Sequence, residues 1–267
     1  MFEDFLVKPG THCNLKKYDP DYSGKFNDKE EIQPRLDVLS EKMTDLQYKL
    51  YAEGKRALLI ILQAMDAGGK DGAIKQVMGA WNPQGCQVAS FKVPSIEELA
   101  HDFLWRIHMK IPPRGSIGIF NRSHYEDVLV VRIDNLVPEA KWKSRYDQIN
   151  NFEKTVSEND VTILKFYLHI SKDEQKKRFE KRIAQPDKNW KFSIEDLNKR
   201  KQWDDYMVAY EDALTKCSTT WAPWYVIPAN RKWYRNLVIA EIITATLEKM
   251  DLKYPKPKED LSKIVIE

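Results

Sequence analysis

The chain has 267 residues, of which 42% are hydrophobic, and its formal net charge is +3. This length is enough for one large α/β domain with a substantial core, and the near balance of charge argues against a nucleic-acid-binding protein. The longest apolar stretch, near residues 57–64, is far too short to cross a bilayer, so we expect no membrane association.

Residues 1 to about 33 are polar and aromatic with Gly and Pro interruptions, which predicts an irregular arm that wraps the core. The N-terminus lacks the basic start and apolar stretch of a secretory signal, so we expect a cytoplasmic protein. Apolar residues then recur at spacings of three and four over 35–53, which predicts an amphipathic helix. The apolar run over 57–62 meets a glycine-rich turn, as a fully buried parallel strand does.

The rest of the chain alternates between predicted helices and strands. We expect helices over 73–81, 96–110, 142–158 and 233–249, strands over 87–93, 116–120, 161–169 and 224–227, and a charged helical insert over about 172–216. Ser95 and Glu98 form a capping box that would begin the helix at 96. Parallel strands need crossovers that cover both faces, so the pattern predicts a three-layer α/β/α sandwich with a parallel sheet, as one domain over 1–267.

The glycine-rich turn is a modified P-loop. A P-loop reads Gly, four residues, Gly-Lys and then Ser or Thr, so that backbone N–H groups cradle phosphate oxygens while the Lys reaches them. Here Ala64 stands for the first glycine and Asp71 for the hydroxyl residue. A buried strand before the turn and a helix N-terminus after it still favour anion binding. The candidate phosphate-binding residues are Ala67, Gly68, Gly69, Lys70, Asp71 and Gly72.

Asp66 is an unusual member of this turn. A carboxylate beside a phosphate repels it unless a metal ion lies between them, or unless the carboxylate handles a proton or positions a nucleophile. Asp66 is therefore a candidate metal ligand and catalytic residue. The alternative is a structural loop in which Asp66 caps the helix and Lys70 is solvated.

A second candidate site follows the strand over 116–120, where P-loop enzymes often carry an acidic metal ligand. Asn121 takes that place, so the metal would depend on Asp66, with Glu126 or Asp127 in reserve. Arg122 suits phosphate oxygens, although it could instead pair with Glu126 at helical spacing.

The helical insert is basic, with eleven basic and six acidic residues between positions 172 and 201. Ser171 and Glu174 fit a capping box, and Arg178 and Arg182 share one face of the helix that follows. A mobile basic segment suits phosphoryl transfer, which needs charge neutralisation and exclusion of water. The alternative is a solvated charged face, and the role of Asp196 is similarly open because it also fits a capping box.

An aromatic cluster lies in and beside the second half of this insert. Its members are Trp190, Trp203, Tyr206 and Tyr210. We interpret the cluster mainly as packing, although one ring could lie near a nucleotide base.

Three segments together strongly resemble the family-2 polyphosphate kinases. They are 65–72 (Met-Asp-Ala-Gly-Gly-Lys-Asp-Gly), 120–129 (Phe-Asn-Arg-Ser-His-Tyr-Glu-Asp-Val-Leu), and 175–182 with 190–193 (Trp-Lys-Phe-Ser). The likeness runs from about residue 35 to residue 249. The Asn-Arg-Ser-His-Tyr-Glu-Asp run is similar to class III of that family, whereas the other classes usually carry Asp-Arg-Ser-Trp-Tyr-Asn there.

The resemblance implies a thymidylate-kinase-like P-loop fold, Mg²⁺ as cofactor, inorganic polyphosphate as donor, and a homo-oligomer. It implies AMP, ADP and ATP as nucleotides, with guanine nucleotides as further candidates, and a lid module at about 172–216. It also implies roles for individual residues. Asp66 would bind the metal and orient the acceptor, and Lys70 would bind the transferring phosphate, with Asn121 and Arg122 in the catalytic centre. Arg178 and Arg182 would clamp the phosphate chain, and Glu126 and Asp196 would have nucleotide or lid functions.

The hypothesis is therefore attack by a terminal phosphate oxygen of AMP or ADP on the end phosphorus of polyphosphate. Two rivals remain at this point. One is an ATP-dependent nucleoside monophosphate kinase of the same fold, and the other is a non-catalytic module that binds polyphosphate or nucleotides. A nucleic-acid binder is disfavoured by the modest basicity.

Overall fold

A five-stranded parallel sheet organises residues 3–264, the part of the chain that this computed structural model describes. The strands are β1 (Ala57–Gln63), β2 (Cys86–Ser90), β3 (Ile117–Asn121), β4 (Val161–His169) and β5 (Trp224–Pro228). Their order across the sheet is β2-β3-β1-β4-β5. All seven residues of β1 are buried, which confirms the prediction of a fully buried central strand.

Helices cover both faces of this sheet. They are α1 (Gln33–Glu53), α2 (Lys70–Val77), α3 (Ile96–Ala100), α4 (Trp105–His108), α5 (Val130–Ile133), α6 (Glu139–Glu158), α7 (Lys172–Ala184), α8 (Ile194–Lys201), α9 (Trp203–Cys217) and α10 (Lys232–Lys249). Helices α1, α2 and α10 pack together in one layer, and α5, α6 and α9 pack together in the other, as right-handed crossovers require. The predicted three-layer α/β/α sandwich is confirmed. Within residues 3–264, no helix combines the length and the apolar character that a membrane span requires.

Several predicted elements differ from the structure in their extent. The continuous helix expected over 96–110 is wrong, because α3 and α4 are separate, although the capping box of Ser95 and Glu98 is present. The Asp102 carboxylate accepts a hydrogen bond from the Leu104 amide (2.9 Å), and such a local bond competes with continuation of a helix. Strand β2 also ends at Ser90, three residues before the predicted end.

The helical insert consists of three helices, α7, α8 and α9, with a short 3₁₀ turn at Asn189–Lys191 between the first two. Ser171 caps α7 by accepting a hydrogen bond from the Glu174 amide (3.1 Å). Ser193 caps α8 through the Glu195 amide (3.2 Å), so Asp196 is not its capping partner. The carboxylate of Asp196 is therefore available for a different contact.

The N-terminal arm packs against the last strand, as expected for a segment that wraps the core. Val7 donates its amide to the Trp224 carbonyl (2.9 Å), and Leu6 forms an antiparallel bridge to Tyr225. Further along, the Leu15 amide donates to the Glu211 carboxylate on α9 (2.7 Å). The arm thus joins β5 to the second half of the insert.

A cluster of buried polar side chains lies between the turn after β3, strand β4 and helix α6. The Lys165 ammonium donates to the Glu153 carboxylate (2.5 Å), to the Tyr125 hydroxyl (2.7 Å) and to the Cys217 carbonyl (2.6 Å). Glu153 also accepts from the Tyr125 hydroxyl (2.9 Å) and pairs with His124 Nε2 (3.0 Å). Burial alone would raise the pKa of the Glu153 carboxyl, but Lys165 and His124 hold it below its usual range. These contacts favour the carboxylate form of Glu153, against the burial that also lowers the pKa of Lys165.

Removing one charge of this pair should destabilise the protein strongly. We expect Lys165→Met to lower the free energy of unfolding by about 3–5 kcal/mol, because it leaves a buried carboxylate without its counter-charge. Adding Glu153→Gln should recover at least about 1 kcal/mol, since the amide keeps an acceptor for Tyr125 and His124 without the charge. Urea denaturation of the two variants measures both effects. Equal loss in the single and double variants would show that the unpaired charge is not the cause.

Candidate phosphate-transfer site

The carboxyl ends of β1 and β3 bring two predicted site segments together. Leu62 in β1 pairs in register with Asn121 at the end of β3, and the Arg122 amide donates to the Leu62 carbonyl (3.1 Å). Arg122 takes a left-handed backbone conformation (φ +64°), which turns the chain sharply after the strand. Ligands of open α/β sheets bind outside the carboxyl ends of the strands, and the candidate residues lie there.

The glycine-rich turn is tightly folded. Ala67 (φ +60°) and Gly69 (φ +100°) both take left-handed conformations, and Gly69 immediately precedes α2. A Cβ at Gly68 would lie 2.5 Å from the Cβ of Ala64, so this position cannot carry a side chain without displacing its neighbours. Helix α2 begins at Lys70, three residues earlier than predicted, and this places the turn directly at a helix N-terminus.

Two arginines hold the carbonyl groups of this turn from behind. Arg178 donates to the carbonyls of Ala67 and Gly68 (both 3.0 Å), and Arg235 donates to the carbonyl of Gly69 (3.1 Å). In a trans peptide the C=O and N–H point in opposite directions. The amides of Gly69 and Lys70 are therefore directed away from the arginines, as phosphate binding requires.

Lys70 is only 8% exposed, and its ammonium donates to the Ala64 carbonyl (2.9 Å). Burial, together with Arg122, lowers the pKa of Lys70 to about 8, against the opposing attraction of Asp66 and Glu126. A phosphate beside Lys70 would add negative charge and favour the ammonium form. The structural alternative of a solvated Lys70 is thus wrong.

Asp66 lies between three cations. Its carboxylate accepts from Arg122 (2.9 Å) and lies 3.7 Å from the Lys199 ammonium. Burial alone would raise the pKa of Asp66, but Lys70, Lys199 and Arg122 together lower it. Asp66 is therefore an ionised carboxylate in a mostly buried site. Its three cationic neighbours account for that charge, so a hydrogen bond that caps α2 is not required to stabilise the carboxylate.

Asp71 and Asn121 meet across the gap between the two turns. The Asn121 side-chain amide donates to the Asp71 carboxylate (2.8 Å), and the Lys191 ammonium lies 3.5 Å from the same carboxylate. Burial raises the pKa of Asp71, but the bond from Asn121 and the charge of Lys191 outweigh it and lower the pKa. Lys191 belongs to the insert, so the insert touches the turn.

A pocket opens beside Asp66. It is lined by Ala64, Met65, Asp66, Arg122, Glu126, Leu129, Val130, Lys199, Tyr206 and Tyr210. Its walls combine cations and carboxylates with aromatic and aliphatic side chains. In this arrangement the pocket encloses only about 20 Å³, which is room for about one water molecule.

The remaining predicted residues lie around this centre. Arg182 donates to the Asp196 carboxylate (3.2 Å) and to the Lys191 carbonyl (3.1 Å), so these residues of the insert are linked to each other. Burial and the nearby Asp66 carboxylate raise the pKa of Asp196. The clamp role expected for Arg178 and Arg182 stays a prediction, and in this structure Arg178 contacts the turn from behind.

Sequence reasoning missed two basic residues of this site. Arg235 is 1% exposed, and burial together with Arg178 lowers its pKa to about 9. The sequence signal that could have revealed Arg235 is a lone arginine on the mostly apolar buried face of α10, since arginine is rarely buried without a partner. Lys199 lacked such a signal, because it is one of three consecutive basic residues at the end of α8.

The donor set fits a magnesium ion shared with substrate. No group of three or more His, Cys, Asp or Glu side chains converges on a common point within residues 3–264. Mg²⁺ is usually held by one or two carboxylates, waters and substrate phosphates, so an ionised Asp66 is sufficient protein ligation. Arg145 pairs with the Asp127 carboxylate at 3.0 Å, and the reserve role of Asp127 or Glu126 stays a prediction.

The fold defines an α/β protein of the P-loop kinase-like class. A family model described as Polyphosphate kinase 2 (PPK2) matches residues 26–255. The chain therefore belongs to the polyphosphate kinase 2 family, which confirms the resemblance seen in the motifs.

Relatives match the chain over nearly its whole length. The "AMP/ADP-polyphosphate phosphotransferase" of Meiothermus ruber is 50% identical over 98% of this chain and 99% of its own length. The "ADP-polyphosphate phosphotransferase" of Rhodopseudomonas palustris is 45% identical over 95% and 92%. The crystal structure of polyphosphate kinase 2 from Arthrobacter aurescens TC1 has a TM-score of 0.93, with 43% identity, 97% coverage of this chain and 93% coverage of that chain.

The turn geometry predicts that Gly69→Ala disrupts phosphate binding. A Cβ at Gly69 would lie 2.3 Å from Arg235 Nη1, so the anchor of the turn must move. We expect the affinity for inorganic tripolyphosphate, measured by calorimetry, to fall at least about tenfold. Gly10→Ala is the matched control, because Gly10 also has a positive φ (+76°) but nothing lies within 4 Å of its Cβ position. Equal affinity in the two variants would contradict the anchoring role.

Proposed function

We propose that the protein transfers phosphoryl groups from inorganic polyphosphate to AMP and ADP and so forms ADP and ATP, with Mg²⁺ as cofactor. The observation that carries the proposal is the adjacency of two features: an anchored phosphate-binding turn, and a pocket with charged and apolar walls that opens beside Asp66 and Arg122. The names of the relatives from Meiothermus ruber and Rhodopseudomonas palustris describe phosphotransfer between polyphosphate and AMP/ADP or ADP, which supports the same donor and acceptors.

The insert residues Lys199, Tyr206 and Tyr210 help to close this pocket to about 20 Å³, and we infer that outward movement of the insert makes room for the nucleotide in the pocket. Leu129, Val130 and Tyr210 give it an apolar wall, whereas a polyphosphate chain has no apolar part to bury. The glycine-rich turn offers backbone amides and Lys70, which suit phosphate alone. We therefore assign the acceptor to the pocket and the transferring phosphate to the turn.

The reaction forms one bond and breaks one. A terminal phosphate oxygen of the nucleotide bonds to the end phosphorus of polyphosphate, and the P–O–P bond to the next unit breaks. The bonding electrons remain on the shortened polyphosphate. Because phosphate oxygens are ionised near neutral pH, the reaction needs no strong general base, and positioning with charge neutralisation is sufficient.

The residues of the site take roles that follow from their contacts. Lys70 and Arg122 neutralise charge on the transferring group, and Asp66 holds Arg122 in place through their 2.9 Å contact. Asp66 would also hold Mg²⁺, which supplies further neutralisation of phosphate charge when it is bound. Asn121 keeps the two turns together through Asp71.

The insert would close over the bound substrates. Lys191 and Lys199 reach Asp71 and Asp66 from the insert, so it already contacts both ends of the glycine-rich turn. Closure of such a segment excludes water, which limits loss of phosphoryl groups to hydrolysis. Its lid role, a homo-oligomeric assembly and a cytoplasmic location remain part of the proposal.

The direct test is ATP formation by purified protein with Mg²⁺ and long-chain polyphosphate, supplied with AMP or ADP and without ATP. We expect ATP from ADP and sequential formation of ADP and ATP from AMP. Product from AMP with ATP as the donor, and none with polyphosphate, would favour the ATP-dependent kinase. Binding of polyphosphate or ADP without any turnover would favour the non-catalytic module.

Lys70→Ala and Asp66→Asn should each lower the transfer rate by about 10²–10³-fold or more while leaving the fold intact, because each removes a charged group from the reacting centre. Circular dichroism checks the fold of each variant. Raising the Mg²⁺ concentration should partly restore Asp66→Asn but not Lys70→Ala. Lys75→Ala, an exposed site on the same helix, should keep full activity. A folded and active double variant would refute the assignment of the site.

A further inference from the structure

The hydroxyl of Tyr206 has no role in the mechanism above, yet it lines the acceptor pocket. It is buried and has no hydrogen-bond partner among the residues that the structure describes. Tyr206 lies in the first turns of α9, where its amide donates to the Gln202 carbonyl (3.0 Å). Only Gln202 separates α8 from α9, and both Lys199 and Tyr206 line the pocket.

An unpartnered buried hydroxyl is costly. Leaving such a group without a hydrogen bond costs about 1–3 kcal/mol, and phenylalanine would fill the same space without that cost. Burial and the nearby Asp134, Glu126 and Asp66 carboxylates raise the pKa of Tyr206, so it remains a protonated donor. The site therefore holds a hydrogen-bond donor that lacks an acceptor within the described part of the chain.

The chemistry of the pocket identifies the missing acceptor. Lys199 lies 3.7 Å from Asp66, which itself contacts Arg122, so the charged end of the pocket is adjacent to the reacting groups. A phosphate oxygen is a strong hydrogen-bond acceptor and brings the negative charge that Lys199 and Arg122 attract. A nucleotide in this pocket would present its terminal phosphate at this end and its nucleoside toward Leu129 and Val130.

We propose that Tyr206 is an acceptor-binding residue, whose hydroxyl donates a hydrogen bond to the phosphate of the nucleoside mono- or diphosphate beside Lys199. This assignment rests on the proposed function, since it takes the nucleotide as the occupant of the pocket. In this assignment the donor lies on the glycine-rich turn, and the Tyr206 hydroxyl serves the acceptor alone. The hydroxyl thus contributes to nucleotide affinity and not to donor affinity.

The test is Tyr206→Phe, which removes one oxygen and keeps the ring. Hydrogen bonds to charged groups contribute about 1.5–3 kcal/mol, so the KM for ADP should rise about ten- to hundredfold. The KM for polyphosphate at saturating ADP should not change, and the thermal midpoint should not fall. Tyr146→Phe is the control, because it removes a buried hydroxyl on α6 outside the pocket, and it should leave both KM values as in the wild type.

Calorimetry with ADP alone separates this assignment from the proposed function. If the wild type binds ADP but forms no product from polyphosphate, the proposed donor is wrong, and the affinity of Tyr206→Phe still decides the role of Tyr206. Unchanged ADP affinity in Tyr206→Phe, or equal losses for ADP and polyphosphate, would overturn the assignment. Failure of the wild type to bind ADP would overturn both proposals.

A ribose contact is the alternative for the same hydroxyl, and 2′,3′-dideoxy-ADP distinguishes the two. With a phosphate contact, Tyr206→Phe should weaken the binding of ADP and of the dideoxy analogue by the same factor. A loss that disappears with the dideoxy analogue would place the hydroxyl on the ribose and refute the phosphate contact.

Discussion

The backbone orientation of the glycine-rich turn depends on two arginines that lie behind it. Arg178 comes from α7 and Arg235 from α10, and each follows a different strand of the sheet. Arg178 also donates to the carbonyls of Ala229 (2.5 Å) and Asn230 (3.0 Å), which lie between β5 and α10. Three segments that are distant in sequence therefore share one set of hydrogen bonds. The amides that face the substrate keep their direction only while this set is intact.

The cations of the site are arranged before any substrate arrives. Lys70 and Arg122 are held by the Ala64 carbonyl and by Asp66, so little reorganisation is needed when negative charge develops nearby. Preorganised charge in a water-poor site stabilises a transition state far more than the same charge in water does. The lowered pKa of Lys70 is the cost of that arrangement, since burial disfavours the ammonium form until phosphate charge is present.

Much of the fold and part of the site could be predicted from sequence, because their signals are local. The apolar run of β1 and the glycines after it are contiguous, and they indicated a buried strand that enters a phosphate-binding turn. The roles of Arg235 and Lys199 depend on contacts across 166 and 133 positions, which no periodicity records. The break between α3 and α4 was missed for a different reason, since Asp102 forms a local bond that outweighs helical propensity.

The buried contacts of His124 also limit which side chains the segment 121–127 can carry. His124 and Tyr125 follow Asn121, Arg122 and Ser123. Their side chains contact Glu153 on α6, and the Tyr125 hydroxyl also accepts a hydrogen bond from Lys165 on β4. A tryptophan in place of His124 would leave Glu153 with one fewer hydrogen-bonding partner in the core. Grafting the Asn-Arg-Ser-His-Tyr-Glu-Asp run into a relative of another class should therefore succeed only when the residues at positions 153 and 165 are transplanted with it. Two residues of this seven-residue run thus depend on two buried residues that lie far along the chain.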